Sequence, residues 1–144
     1  MKSTSGGAIS IGPHVVKTWS STQQTIALSS GEAELYAITK AAAQTLGIIS
    51  MIKDFGIELI GEVYSDSTAA IGIVCREGLG RTRHIKVQYL WLQNCVADED
   101  LKVVKVDTRF NFADLMTKHL KREDRERLMK IMRMKIVSGR AENR

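Results

Sequence analysis

Apolar and polar positions alternate along residues 7–19, and the alternation breaks once, at Gly12-Pro13. A period of two on either side of a strong turn signal predicts a β-hairpin, with strands over 7–12 and 14–19. A third short extended piece, 25–28, leads into Ser29-Ser30, whose hydroxyls suit a helix N-cap. The period then changes to 3.6, with Ile38, Ala42, Ile49 and Ile52 on one stripe and Leu35 and Leu46 beside it. This predicts a long helix from about Gly31 to Phe55, stopped by Gly56. Glu32 and Glu34 in its first turns suit the helix dipole.

Residues 59–64 read as a buried strand, and Ser65-Asp66-Ser67 opens a second helix over 68–76. A Gly-rich basic loop follows at 77–83. The stretch 85–97 is helical by pattern, with Val87, Leu90, Trp91, Asn94 and Cys95 in register. Residues 101–106 alternate as a strand. Two helical stretches close the chain, over 110–118 and 122–135, and the sequence frays beyond 136. No internal repeat is visible. Strands and helices interleaved in this way predict an α/β domain with a mixed sheet.

The 144 residues suffice for one domain. Hydrophobic residues at 44% and charged residues at 26% are ordinary for a globular protein. No stretch approaches bilayer length and no basic-then-apolar leader opens the chain, so neither membrane nor export is expected. Cys75 and Cys95 lack metal-site spacing and read as buried free thiols in a reducing interior. The net charge of +5 is unevenly distributed. Residues 101–144 carry 13 Lys/Arg against 6 Asp/Glu, whereas residues 1–100 carry 8 against 10. A basic end on a domain with acidic residues suits nucleic acid, although a solvated tail would show the same balance.

Three acidic residues stand at element ends: Glu34, Asp66 and Asp114. Each has an ordinary reading by itself. Glu34 could stabilise a first helical turn, and Asp66 and Asp114 could cap the helices that follow them. Glu32, two residues earlier, points elsewhere and reads as solvated and structural. What separates the three from ordinary capping residues is their company. Leu28-Ser29-Ser30-Gly31-Glu32-Ala33-Glu34-Leu35-Tyr36, Asp66-Ser67-Thr68-Ala69-Ala70-Ile71, Arg81-Thr82-Arg83-His84-Ile85 and Ala113-Asp114-Leu115-Met116-Thr117-Lys118 occur in that order. These strings resemble the ribonuclease H domain that ends the Pol polyprotein of copia-type retrotransposons, over about residues 2–120. Two departures are an extra residue before Tyr36 and His119 where the family usually has proline.

The resemblance implies a ribonuclease H-like mixed sheet flanked by helices, which hydrolyses the RNA strand of RNA–DNA hybrids with two Mg²⁺ ions. Two such ions about 4 Å apart can activate a water and stabilise the leaving oxygen. Hard oxygen ligands suit Mg²⁺, with Mn²⁺ a possible substitute. By resemblance, Glu34 and Asp66 hold the ion on the leaving side and Asp114 the water-activating ion. Ser30, Arg83, His84 and Lys86 become candidates for nucleic-acid contact. His84 reads equally as a phosphate or proton-shuttling group and as a backbone-bonding residue at a helix start. Tyr89 and Trp91 read as packing residues rather than base-stacking ones.

The family's fourth carboxylate, an aspartate, lies on a strand just upstream of a Lys-Ser-Thr-Ser-Gly segment, and the present chain begins at Lys2-Ser3-Thr4-Ser5-Gly6. The expectation is therefore a domain over 1–136, incomplete at its N-terminus and lacking the central strand, followed by a disordered tail over 137–144. Two sheet halves without a shared neighbour would leave exposed edges. Weak or absent cleavage by the isolated chain follows from the same loss. The alternatives are an inactive nucleic-acid-binding remnant and a structural subdomain of a reverse transcriptase. The expected partners are an RNA–DNA hybrid and upstream reverse transcriptase or integrase portions. The expected location is intracellular, in a cytoplasmic virus-like particle or the nucleus.

Overall fold

The computed structural model describes residues 3–24, 26–76, 87–135 and 137, apart from the side chain of Gln88. Strands β1 (Thr4–Ile11) and β2 (His14–Thr22) form the hairpin, antiparallel, with Ile11 opposite His14. Gly12 takes φ +54°, a left-handed turn geometry that glycine adopts without a Cβ clash. Both strands run beyond the alternating segment, because cross-strand pairing continues to Thr4 and Thr22. The register shifts between Ile9 and Ser10, where a bulge interrupts the ladder. Residues 26–28 are not a strand, and Ile26 and Leu28 are exposed.

Helix α1 spans Ser30–Lys53. Ser29 caps it, its hydroxyl accepting from the Glu32 amide at 3.1 Å. The Glu32 carboxylate reaches back to accept from the Leu28 amide at 2.8 Å and accepts from the Tyr36 hydroxyl at 2.8 Å. This reciprocal arrangement satisfies donors at the helix start. Glu32 is thus structural but buried, not solvated, since its oxygens replace water with these donors. Gly56, at φ +78°, follows the last turn.

By length and hydropathy α1 could cross a membrane, contrary to the expectation that no stretch comes close. Here it is the core helix: Leu35, Ile38 and Ala42 pack with Val63, Leu92 and Leu101. Tyr89 belongs to this cluster and meets Tyr36 in a tilted pair, with ring centroids 5.4 Å apart.

Strand β3 (Gly61–Ser65) pairs in parallel with β4 (Leu101–Lys105). It alternates buried Gly61, Val63 and Ser65 with exposed Glu62 and Tyr64. It is therefore covered on one face only, not a doubly buried strand, and Ile60 lies outside it at 76% exposure. Between β3 and β4 run α2 (Thr68–Val74) and α3 (Val87–Ala97). The inward face of α3 is Tyr89, Leu92 and Cys95. Val87 and Asn94 point outward, one helical position away from the stripe the sequence suggested. Tyr89 is a core residue, whereas Trp91 is on the exposed side. Cys95 is a buried free thiol; Cys75, just past the end of α2, is free but exposed.

After β4 the chain makes two 3-10 turns, Thr108–Phe110 and Phe112–Met116, in place of the helix expected over 110–118. Asp107 and Asn111 cap them with side-chain oxygens and break the run into separate turns. Helix α4 (Arg122–Ile131) ends the described elements and stops short of Lys135. Residues 138–144, most of the expected tail, lie outside the described residues.

Among the described residues the architecture is a mixed α/β arrangement with two separate two-stranded sheets, β1-β2 and β3-β4. Strands β1 and β3, each unpaired along one edge within its sheet, both line a cavity of about 520 Å³. Ile38 and Ala41 of α1, together with Phe110 and Phe112, give this slot an apolar wall.

Leu35 is fully buried against both β3 and the helices behind it. Leu35→Ala should lower the stability of the chain by about 2–5 kcal/mol in a denaturant titration, because deletion leaves a cavity that the surrounding core cannot fully close. A loss below 0.5 kcal/mol or so would mean that this contact does not hold the domain together.

Candidate functional site

Each of the three acidic residues is delivered by a different kind of local structure. Glu34 sits in the second turn of α1 and lines the slot. Asp66 occupies the step from β3 to α2. That step is tightened on both sides, because the Ser67 amide donates to Ser65 Oγ at 3.2 Å and Ser67 Oγ caps the Ala70 amide at 3.2 Å. Asp114 lies in the second 3-10 turn and is buried at 8% exposure. This turn presses on β1 at Gly6, where a Cβ would fall 2.6 Å from Met116 Cβ and from Thr117 Cγ2. A glycine at position 6 lets the Asp114 turn approach the hairpin.

The three carboxylates share one electrostatic neighbourhood. Glu34 remains accessible, yet its carboxyl end is crowded. Burial raises its pKa first, the charge of Asp66 adds to this, Lys118 opposes it, and Asp114 adds again. Lys118 answers the cluster. Its ammonium lies 2.9 Å from Asp114 Oδ1 and 3.0 Å from Oδ2. Burial would pull its pKa down, but the bond to Asp114 and the charges of Asp114, Asp66 and Glu34 prevail and raise it. A second cation, Lys105 at the end of β4, donates to the Asp66 carbonyl and to Thr68 Oγ1.

The donor chemistry is that of a hard cation site: carboxylate oxygens, mutually repelling, with no thiol or imidazole among them. The geometry is more open. Among the described residues, no three His, Cys, Asp or Glu side chains stand close enough to hold a single metal ion. A magnesium ion commonly takes one or two protein carboxylates and keeps several waters, so the trio fits such an ion in kind and charge without forming a closed cage.

Of the nucleic-acid candidates, Ser30 is exposed at the first turn of α1. Arg83, His84 and Lys86 lie outside the described residues, as does the Gly-rich loop that precedes them. Lys105 and Lys118 were not singled out by sequence. Lys118 carried a signal in its spacing, four residues after Asp114 and thus on the same side of a helical turn. Lys105 carried none, since only the parallel pairing of β3 with β4 brings it beside Asp66.

The chain is 38% identical over 119 residues to the retrovirus-related Pol polyprotein from transposon TNT 1-94 of Nicotiana tabacum, an overlap of 79% of this chain and 8% of the relative. The chain resembles a region of retrotransposon Pol polyproteins. The corresponding polyproteins from transposons RE1 and RE2 of Arabidopsis thaliana are each 30% identical over 123 residues, 83% of this chain and 8% of theirs. This Pol-related chain thus spans about 8% of the length of the curated relatives it matches. No family model matches it, and no solved structure does.

The raised Glu34 pKa has a consequence for stability. The folded chain holds this proton more tightly than the unfolded chain does. The Glu34 charge therefore costs stability as pH rises above its ordinary value of 4.5, and the cost vanishes below that value. In buffer free of divalent ions, Glu34→Gln should melt at a higher temperature than the parent at pH 7, with the difference shrinking as pH falls to 4.5. A difference that stays constant across that range would show that Glu34 does not feel its acidic neighbours.

Proposed function

We propose that this chain is most of a copia-type ribonuclease H domain, acting on the RNA strand of RNA–DNA hybrids. The observation that carries the reading is that Asp66 and Asp114, from two further elements, lie within electrostatic reach of Glu34, which lines the slot. Relationship to Pol polyproteins supports it independently.

In this reading Glu34 and Asp66 would hold one Mg²⁺ and Asp114 another, with Mn²⁺ able to substitute. The ions supply a water of lowered pKa and charge stabilisation for the departing oxygen. The chain's own groups do the rest. Asp114 is held by its turn against β1, and Asp66 by the double hydroxyl step at Ser65 and Ser67, so neither carboxylate needs to be ordered when substrate arrives. Ser30, exposed at the first turn of α1, would donate to a phosphate. Arg122, Arg125 and Lys130 of α4 are exposed and give the basic end its footing on the hybrid backbone. Arg83, His84 and Lys86 would extend that footing.

The slot between β1 and β3 suits one further strand. Such a strand would pair with both free edges and cover the apolar wall formed by Ile38, Ala41, Phe110 and Phe112. In the proposed domain it comes from the polyprotein upstream and carries the fourth carboxylate, next to the cluster. The open geometry of the trio favours a second reading: without that strand the chain binds nucleic acid but does not cut it.

A labelled RNA strand in a hybrid duplex separates the readings. The chain as it stands should cleave little or not at all in Mg²⁺. A form extended upstream through one strand bearing an aspartate should cleave, and Asp66→Asn in that form should reduce cleavage to background. Brisk cleavage by the short form would show that the fourth carboxylate is dispensable. No cleavage by either would leave the binding reading in place.

Hybrid binding should weaken steeply with salt. If Arg122, Arg125 and Lys130 neutralise about three phosphates, affinity should fall roughly 40-fold between 50 and 200 mM monovalent salt, from a log–log slope near −2.7. Replacing all three with glutamine should flatten the slope in a fluorescence anisotropy titration. An affinity independent of salt would remove the electrostatic role of α4.

A further inference from the structure

Asp114 does not wait with empty oxygens. Both are engaged by the same ammonium, Lys118 Nζ, at 2.9 and 3.0 Å. The backbone sets this up: the Lys118 amide donates to the Asp114 carbonyl at 2.9 Å and the Thr117 amide to the same oxygen at 3.2 Å. The chain therefore winds back on itself after the 3-10 turn and returns the lysine over the aspartate. Among the described residues, no other cation makes an ion pair with a carboxylate of the trio. Lys105 reaches Asp66 only through its backbone carbonyl.

The two partners differ in freedom. The Asp114 side chain is 12% exposed and fixed by its turn, whereas that of Lys118 is 53% exposed on a flexible four-carbon stem. One partner can leave and the other cannot. A divalent ion approaching Asp114 requires the oxygens that the ammonium occupies, and two cations on one carboxylate repel each other strongly.

We propose that Lys118 is a built-in counter-cation for the acidic cluster, seated on Asp114 while no divalent ion is bound and displaced into solvent when one arrives. The inference rests on the metal-site reading given above and adds to it a competition within the chain. The lysine relieves carboxylate repulsion in the metal-free state and sets a threshold that the ion must exceed. An ion pair that did not compete with a divalent ion would leave Mn²⁺ affinity unchanged when the lysine is replaced.

The test measures metal, not cleavage. Free Mn²⁺ is followed by electron paramagnetic resonance during titration of the full chain, its Lys118→Met variant and its Lys118→Arg variant. The methionine form should bind Mn²⁺ about fivefold more tightly, the factor matching the upper end of a half-exposed pair, while the arginine form stays within about twofold of the parent. Without divalent ion the methionine form should melt below the parent, and saturating Mn²⁺ should close the gap. On the parent chain, Mg²⁺ should move the Lys118 side-chain ¹³Cε and ¹⁵Nζ resonances to the positions of solvated lysine, and this readout needs no substitution.

Equal Mn²⁺ affinity of parent and methionine form, or a Lys118 signal that stays still while Asp114 signals shift with Mg²⁺, would overturn the inference and leave the site reading standing. Failure of every form to bind Mn²⁺ would remove the metal site and, with it, the competition.

Discussion

The packing of α1 across two sheets that share no hydrogen bond is the contact on which the rest of the structure depends. β1-β2 and β3-β4 are separate ladders, so backbone pairing cannot align them. Leu35, Ile38 and Ala42 seat α1 among residues from β3, α2, α3 and β4, while the same helix also packs against β1. The turn at 112–116 adds a second link by resting on β1 at Gly6. Because Glu34 is on α1 and Asp114 on that turn, the links that join the sheets also position the acidic cluster. Stability and site geometry therefore share their supports.

Such a site is electrostatically uneasy. Three carboxylates brought together by packing repel one another, and burial of Glu34 adds to the cost. Hydrophobic contact in the core offsets this, and Lys118 lowers it further by sitting on Asp114. Lys105 stands at the Asp66 carbonyl, and further exposed cations, Arg122, Arg125 and Lys130, are carried by α4.

Local signals were read well where they were strong. The hairpin turn, the Ser29 cap, the stop at Gly56 and the strand-to-helix step at Asp66 follow from residues whose backbone preferences act over three or four positions. Patterns with weak periodicity misled. In α3 almost every position is apolar or neutral, so several stripes fit, and only the packing of Tyr89 and Leu92 against α1 selects one. At 110–118 the sequence looks helical, but the Asp107 and Asn111 side chains bond to the backbone nearby and the chain forms two turns over 108–116 instead. Glu32 looked solvated because a carboxylate ordinarily is; in the fold it accepts from the Leu28 amide and the Tyr36 hydroxyl, which offset its burial.

The order of the motif strings, and the charge asymmetry, were fully present in the sequence and by themselves pointed to the relationship with Pol polyproteins. They identified Glu34, Asp66 and Asp114 as the residues to follow, since a string of neighbours is a local property of the chain. Whether those carboxylates meet, which cation answers them, and that a slot opens between β1 and β3 were decided only by the tertiary structure. Distances between residues 34, 66 and 114 depend on long-range packing around α1, and no periodicity along the chain encodes a contact between elements that are far apart in it.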